Sequence, residues 1–477
     1  MTHKKYTLGI FTAALAVLAV WMFLRDFQEE NGLEPFGEID KQTGIREAID
    51  YNFEKIKDLE TGEIPPNGLM DALKFTRKRQ AELASLKLGD ATNPRFRERG
   101  PNNIGGRTRT ILIDQRDSTR NTLFVGSVSG GLWKCNDITQ NPPIWNKVND
   151  YLDNLAIGGL AQDPNNPEIM YMGTGEGYTG VQGIGIFKSV DGGVNWELLQ
   201  SSVDAVVITI QDLLVHPVTS DVYAASNFGL FRSPDGGASW EKVHGQGFGA
   251  NNSFNDIDYV AAGGFMICSN ANAVFKSETG DPNSWQNLTS GQIEAGMSRV
   301  EVTVCASDPD VMYLIGSKGN QATNVYRTSN GGETWQARIE PGNGSDFTNG
   351  QAWYDLDIAV DPFNCEHTIA GGVPSLRSLT GAFTYDQWMG GMHVDQHTIL
   401  FDPEREGVVY LGNDGGIWRA TSGTDIPPVN KNFGYNVTQF YAGAMHPDYF
   451  SHYFLGGTQD NNSLQLNAFE TTSAESV

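Results

Sequence analysis

Two histidines and an aspartate share the five residues "HVDQH": His393, Asp395 and His397. If this stretch is a strand, alternation places all three side chains on one side. Two imidazoles and a carboxylate are competent ligands for zinc or another divalent metal. No fourth ligand is identifiable, so the expectation is a hydrogen-bonded lining of a wet channel, with the metal site as the alternative. A different chemistry, glycoside hydrolysis, needs two carboxylates facing each other across a sugar, one as acid and one as base or nucleophile. Asp414 in "GNDGG" is one candidate, with Glu176 in "GTGEGY" or Asp395 as its partner. Residues nominated for ligand contact are Arg107 and Arg109 in "RGPNNIGGRTR", Tyr178, and Tyr354 and Asp355 in "NGQAWYDLD".

These residues are scattered over 300 positions, so a repeated scaffold has to bring them together. The repeat shows in "SVDGGVNW" at 189 to 196, "SPDGGASW" at 233 to 240 and "TSNGGETW" at 328 to 335, with a looser "SETGDPNSW" at 277 to 285. The closing tryptophans Trp196, Trp240, Trp285 and Trp335 are 44, 45 and 50 residues apart. That period suits one four-stranded propeller blade. Asp191, Asp235 and Asn330 can accept bonds from backbone N–H groups of their own turn, and the paired glycines allow positive φ. The octets therefore read as structural hairpins between a blade's two outer strands, with the tryptophan buried between blades.

Around each octet lie short β-branched and aromatic runs separated by turn residues, and degenerate copies extend the array in both directions. Seven units fit between residues 97 and 434, giving an all-β fold, a seven-bladed or larger, incomplete β-propeller. Residues 435–477 open an eighth unit, "TQFYAGAMHPDYFSHYFLGGTQDNN", with no octet, which is expected to be the start of a further, truncated blade. Ring closure is expected to pair strands from the two chain ends, which would protect the sheet edges. The segments unlike one another, which carry the nominated residues, collect on one face around the axis, where propeller ligands bind.

The 57 acidic against 33 basic residues give a net charge of −24, which argues against nucleic acid or anionic lipid as partners. No EF-hand spacing, serine-nucleophile elbow or phosphate-cradling loop is present. Lys4 and Lys5 precede an uncharged run at 6–24, which predicts a signal anchor or signal peptide within 1–30, with Val17-x-Ala19 as a prospective cleavage site. The remainder is thus expected outside the cytoplasm, secreted or held by that single anchor. Residues 31–96 read as a helical arm, with Ile45, Ile49, Phe53 and Ile56 and then Leu69, Leu73 and Leu83 at helical spacing. Cys135, Cys268, Cys305 and Cys365 form no C-x-x-C pair; disulfides are permitted by the compartment but not demonstrated by spacing, and Cys268 and Cys305, in strand-like runs, read as small buried hydrophobes.

The octet resembles the Asp-box of sialidases, sortilin-type receptors, xyloglucanase-like glycosidases and photosystem II stability/assembly-factor-like proteins. Together with "RGPNNIGGRTR", "GTGEGY", "HVDQH", "GNDGGIWR" and "GGTQDN", it makes residues 45 to 477 look like secreted sortilin-like or glycosyl-hydrolase-like proteins of the Bacteroidetes type. Such relatives run on through further blades to a sorting module, which implies that this chain is part of a longer one. Asp414 is similar to the acid of xyloglucanase-like enzymes, yet the matching place in the first unit, "GSVSGG", holds Ser129 and no carboxylate. For sialidase chemistry the Phe/Tyr-Arg-Ile-Pro motif is missing, and sequence does not assemble an arginine trio from Arg107, Arg109 and Arg299. The resulting expectation is a binding scaffold for a protein, peptide or glycan without a cofactor. A glycoside hydrolase using Asp414 is the alternative, and an assembly factor working through the helical arm is a third reading.

Overall fold

The computed structural model describes residues 100–477 except 151, 153, 179–180, 246–252, 343, 389, 449–450, 452, 467–474 and 477, plus scattered positions between 54 and 82. The apolar run at 6–24 and most of the two helical segments lie outside the described residues. Among the described residues no helix is long and apolar enough to cross a membrane. The chain divides into two units, 1–89 and 90–477, and the second carries every described strand.

Strands follow one another in antiparallel sets of four, in sequence order within each sheet. The innermost strands are Thr108–Ile113, Ile157–Gln162, Ile210–Val215, Phe254–Val260, Arg299–Val304, Asp357–Asp361 and Gln396–Phe401. Each packs beside the next, and the seventh returns to the first, so seven blades close a ring. A two-residue insertion strand, Gln321–Ala322, widens the fifth sheet. Second strands such as "LFVGS" (Leu123–Ser127), "MYMGT" (Met170–Thr174) and "VYAAS" (Val222–Ser226) are wholly buried. Neighbouring blades cover both of their faces, which explains continuous apolar runs in place of alternation.

The hydrophobic effect acts between the blades. Phe124 and Leu132 of the first blade meet Leu160, Met170, Met172 and Phe187 of the second, with Trp196 at the edge. Each such side chain contributes about 1.5–3 kcal/mol on burial. The octets lie between third and fourth strands, as expected. In the first, the Ser189 hydroxyl accepts the N–H of Gly193 at 2.9 Å, and Asp191 accepts those of Val194 and Asn195 at 3.1 and 2.9 Å. A fifth such turn escaped the sequence reading: in the sixth blade Thr380 takes the aspartate's place, accepting the N–H of Thr384 at 3.0 Å, and Tyr385 stands where the octets have tryptophan. It was hidden because Ala382 stands at positive φ where the octets have glycine.

Closure differs from the expectation, since among the described residues no strand is exchanged between chain ends. Instead residues 431–438 lie against residues 101–107. Gly434 N–H donates to Asn102 O at 2.6 Å, and the Thr438 hydroxyl donates to Gly105 O at 2.8 Å. Tyr435 inserts between Trp133 and Trp145, with ring centroids 5.8 and 4.9 Å away. On the outside, Asp402 accepts Arg120 at 2.7 Å and Arg405 at 2.6 Å, joining the seventh blade to the first. The unit after the ring forms a four-stranded sheet of its own, Phe440–Met445, Phe454–Thr458, Ser463–Leu466 and Glu475–Ser476. All six residues of its first strand are exposed.

The cysteines are not all alike. Cys305 and Cys365 are joined in a disulfide between the fifth and sixth blades, which corrects the reading of Cys305 as a small buried hydrophobe. Cys135 and Cys268 are free and buried, and burial raises the thiol pKa of both.

Candidate functional site

Side chains converge at one mouth of the axial channel because several innermost strands are irregular there. The pairing register skips a residue between Thr108 and Thr110 and again between Gln396 and Thr398. Arg109 and His397 are the extra residues, and a bulge re-aims such a side chain out of the strand's alternation. The second blade has the same irregularity at Gly158, where a Cβ would lie 1.9 Å from Ile210 O, so only glycine fits. The bulge also corrects the reading of "HVDQH": the strand begins at Gln396, and Asp395 sits before it at φ +66°.

Arg109 is clamped from three sides. Its Nη2 donates to Glu176 Oε1 at 2.6 Å, and its guanidinium lies 4.9 Å from the Tyr178 ring centroid and 4.7 Å from that of Tyr354. Arg299 covers Tyr178 at 4.1 Å, pairs with Glu301, and donates to Tyr354 O at 2.7 Å and Leu356 O at 2.6 Å. Its donors are thus spent on the protein itself. Arg107 donates to the Tyr354 hydroxyl at 2.9 Å and to Gln439 Oε1 at 2.8 Å. The three arginines share a neighbourhood.

Beside them sit four carboxyls and a histidine. His397 Nε2 is 2.5 Å from Asp414 Oδ1, and Nδ1 is 3.4 Å from Asp355 Oδ1. Asp395 lies beside Asp355, and Asp460, in the turn between the second and third strands of the last sheet, lies beside Asp414. Two carboxyls can bond only when one carries a proton. Ionised together, Asp355 and Asp395 would each have an Oδ1 with no donor. Burial, then the neighbouring Asp395 and Asp414, pushes Asp355 up to about 8. Burial and Asp414 push Asp395 up to about 6. Asp414 and Asp460 are also raised, chiefly by burial. His397 is driven well below its ordinary range by burial and by Arg109, and so stays neutral.

Below the mouth the channel encloses a cavity of about 510 Å³ lined by Asp212, Asp256, Glu301 and Asp357. Asp212 accepts the N–H of Ile257 at 3.2 Å and Asp357 that of Ile399 at 2.7 Å, each reaching into the next blade. Burial raises both to about 7. They are inter-blade ties, flagged in sequence only as single charges in the apolar runs "IQDLLV" and "DIAVD".

The nominated residues therefore separate. Arg107, Arg109, Glu176, Tyr178, Tyr354, Asp355, Asp395, His397 and Asp414 do meet at the mouth. His393 does not join His397: its ring nitrogens face Val394 O at 2.9 Å and Asp460 O at 3.0 Å. Among the described residues no set of three or more His, Cys, Asp or Glu is arranged to hold a metal ion. Asp191, Trp196, Asp235, Trp240, Asn330 and Trp335 stay with their octet turns. Sequence reasoning missed Asp460, although "GGTQDN" had been noticed as a motif; two residues at positive φ there, Asp460 and Asn462, are the structural signal.

No protein-family profile and no curated protein matches the sequence. Solved structures do match the fold. An ancestral GH74 enzyme superposes with TM-score 0.57 at 16% identity, over 79% of this chain and 54% of that one. The GH74 enzyme of Niastella koreensis gives 0.56 at 18% identity, over 78% and 60%. YCF48 bound to D1 peptide gives 0.47 at 16%, over 67% and 94%. At these identities the likeness concerns the β-propeller fold alone. The chain spans less than two thirds of the length of the two GH74 enzymes.

Proposed function

We propose that this chain is an extracytoplasmic binding propeller that holds a glycan at the channel mouth, without hydrolysing it. One observation carries the reading: two of the three acids nominated for catalysis, Glu176 and Asp414, are buried in internal contacts. Glu176 is 2% exposed and held by Arg109, while Asp414 is 3% exposed, held by His397 and beside Asp460. A glycosidase needs both carboxyls open to opposite sides of the sugar. Exposed aromatics flank the mouth instead: the Trp353 ring lies 5.3 Å from that of Tyr354, tilted by 40°, and Tyr441 lies close enough to Asp460 and Arg107 for them to perturb its hydroxyl. Flat rings beside hydrogen-bonding groups suit sugar faces. The Cys305–Cys365 disulfide supports an oxidising compartment.

A hydrolase keeps one supporting observation. Asp395 is only half-buried, and a carboxyl at about 6 suits a general acid. The test is a polysaccharide array read for both binding and released reducing ends. Binding without turnover, weakened at least tenfold by Tyr441→Ala, is the expected result. Turnover abolished by Asp395→Asn in a folded protein would replace the binding reading with the hydrolase. Binding of peptides but no glycan would also overturn it.

A further inference from the structure

The channel mouth is not the only concavity. Where the seventh blade meets the first, a cavity of about 450 Å³ is lined by twelve residues, among them Asn103, Asn430, Asn432 and Asn461. None of these carries a formal carboxylate or a lysine or arginine charge, in a chain whose net charge is −24. Four asparagine amides line it, each able to donate and accept. Two of them are fixed in place by the protein. Asn432 Oδ1 accepts Ile417 N–H at 2.7 Å and its Nδ2 donates to Gly415 O at 2.9 Å. Asn461 Nδ2 donates to Asp414 O at 2.9 Å and Gln459 O at 3.1 Å. Asn461 is 8% exposed, and among the described residues its Oδ1 accepts no hydrogen bond. Gly105 and Gly415 are required for the close approach: a Cβ on Gly415 would meet His393 Cβ at 2.5 Å, and one on Gly105 would meet Gly415 O at 2.4 Å. The side chains of Met392, Val394 and Trp418 add an apolar face.

We infer that this seam pocket is a second binding site, separate from the mouth cluster, for an uncharged hydroxyl-rich ligand, a neutral sugar residue. Amides held rigid by their own bonds can pair with vicinal hydroxyls at little ordering cost. The absence of fixed charge disfavours a charged ligand, since a buried ion needs a partner. Its volume falls in the range of small-molecule sites, 300–1,000 Å³ as a rough guide.

The probe is a set of neutral methyl glycosides (glucoside, galactoside, mannoside, xyloside) in saturation-transfer NMR with the full chain. At least one is expected to receive saturation. Val394→Trp, a half-exposed lining position, is expected to weaken that binding at least tenfold, and Asn430→Ala, at an exposed lip, to weaken it several-fold. Val194→Trp on an exposed octet is the matched control and should leave it unchanged. Thermal melting checks that each variant folds, and Asn430→Ala decides the matter if Val394→Trp does not fold. No saturation of any glycoside, or saturation that survives both pocket variants, overturns the seam site. Polysaccharide binding that depends on Tyr441 and ignores Val394 and Asn430 would sink this inference while leaving the mouth reading standing.

Discussion

Aspartate behaves in opposite ways at the rim and at the channel mouth. In the rim octets, Asp191 and Asp235 accept hydrogen bonds from residues of their own turn, which pull both carboxyls down to about 2. At the mouth, Asp355 is pushed up to about 8 by burial and by the neighbouring Asp395 and Asp414, and Asp395 up to about 6 by burial and by Asp414. The rim turn supplies its N–H donors within eight consecutive residues, so each aspartate is satisfied locally. The mouth carboxyls arrive from the loop before the sixth blade, the loop before the seventh, a turn of the seventh and a turn of the last sheet. Having few N–H donors to meet, they meet one another, and protons have to hold them together. Scaffold aspartates repeat because each copy solves its own problem; mouth aspartates do not repeat because only the assembly gives them neighbours.

Breaking the buried Arg109–Glu176 pair should have the largest effect. Arg109→Leu removes the guanidinium beside buried Glu176 and is expected to cost about 3–5 kcal/mol in chemical denaturation. Adding Glu176→Leu should recover most of that loss. A single-variant cost under about 1 kcal/mol would mean the mouth is held no more tightly than the rim.

The pH dependence sharpens the comparison. Asp355 and Asp395 keep protons in the folded state above the ~3.9 at which an unfolded aspartate loses its own. The folded state then binds more protons than the unfolded one, so this contribution to stability falls as pH rises from about 4 through about 8. The rim aspartates act in the other sense: what they add is present above about 4 and lost as pH falls towards about 2. Asp355→Asn should therefore exceed the parent in stability by at least about 1 kcal/mol at pH 8.5, the advantage shrinking towards pH 5. Melting curves across that range check it, and a constant offset would contradict the proton held at Asp355.

The smallest change is expected at the rim. Asp235→Ala removes a cap-like acceptor from the N–H of Ser239, bonded at 2.8 Å, and should cost on the order of 1 kcal/mol, invariant between pH 5 and 9. A loss larger than that of Arg109→Leu would invert the ranking of the two regions.

Much of the scaffold was legible. The octets marked the blade period, and their Asp, Gly and Trp residues predicted a turn that the structure contains. The Thr380 turn was not legible, because a hydroxyl can replace the carboxylate and Ala382 the glycine without changing the backbone. Most nominated mouth residues were found because their segments departed from the repeat. Their pairing was hidden, and the alternation argument for His393, Asp395 and His397 failed at a bulge, which no period-two pattern reveals. Arg299 was visible as a charge in an apolar strand, but its partners are backbone carbonyls more than fifty positions away.

The sequence alone determined the β-rich repeat, the turn chemistry that closes each blade and the acidic balance of the surface, because these rest on residues within one repeat of each other. Only the tertiary structure decided which units close the ring, that Cys305 finds Cys365, and that Asp355, Asp395, Asp414 and Asp460 share one neighbourhood. Those outcomes depend on distances between segments remote in the chain, and a carboxyl's protonation follows from what surrounds it after folding.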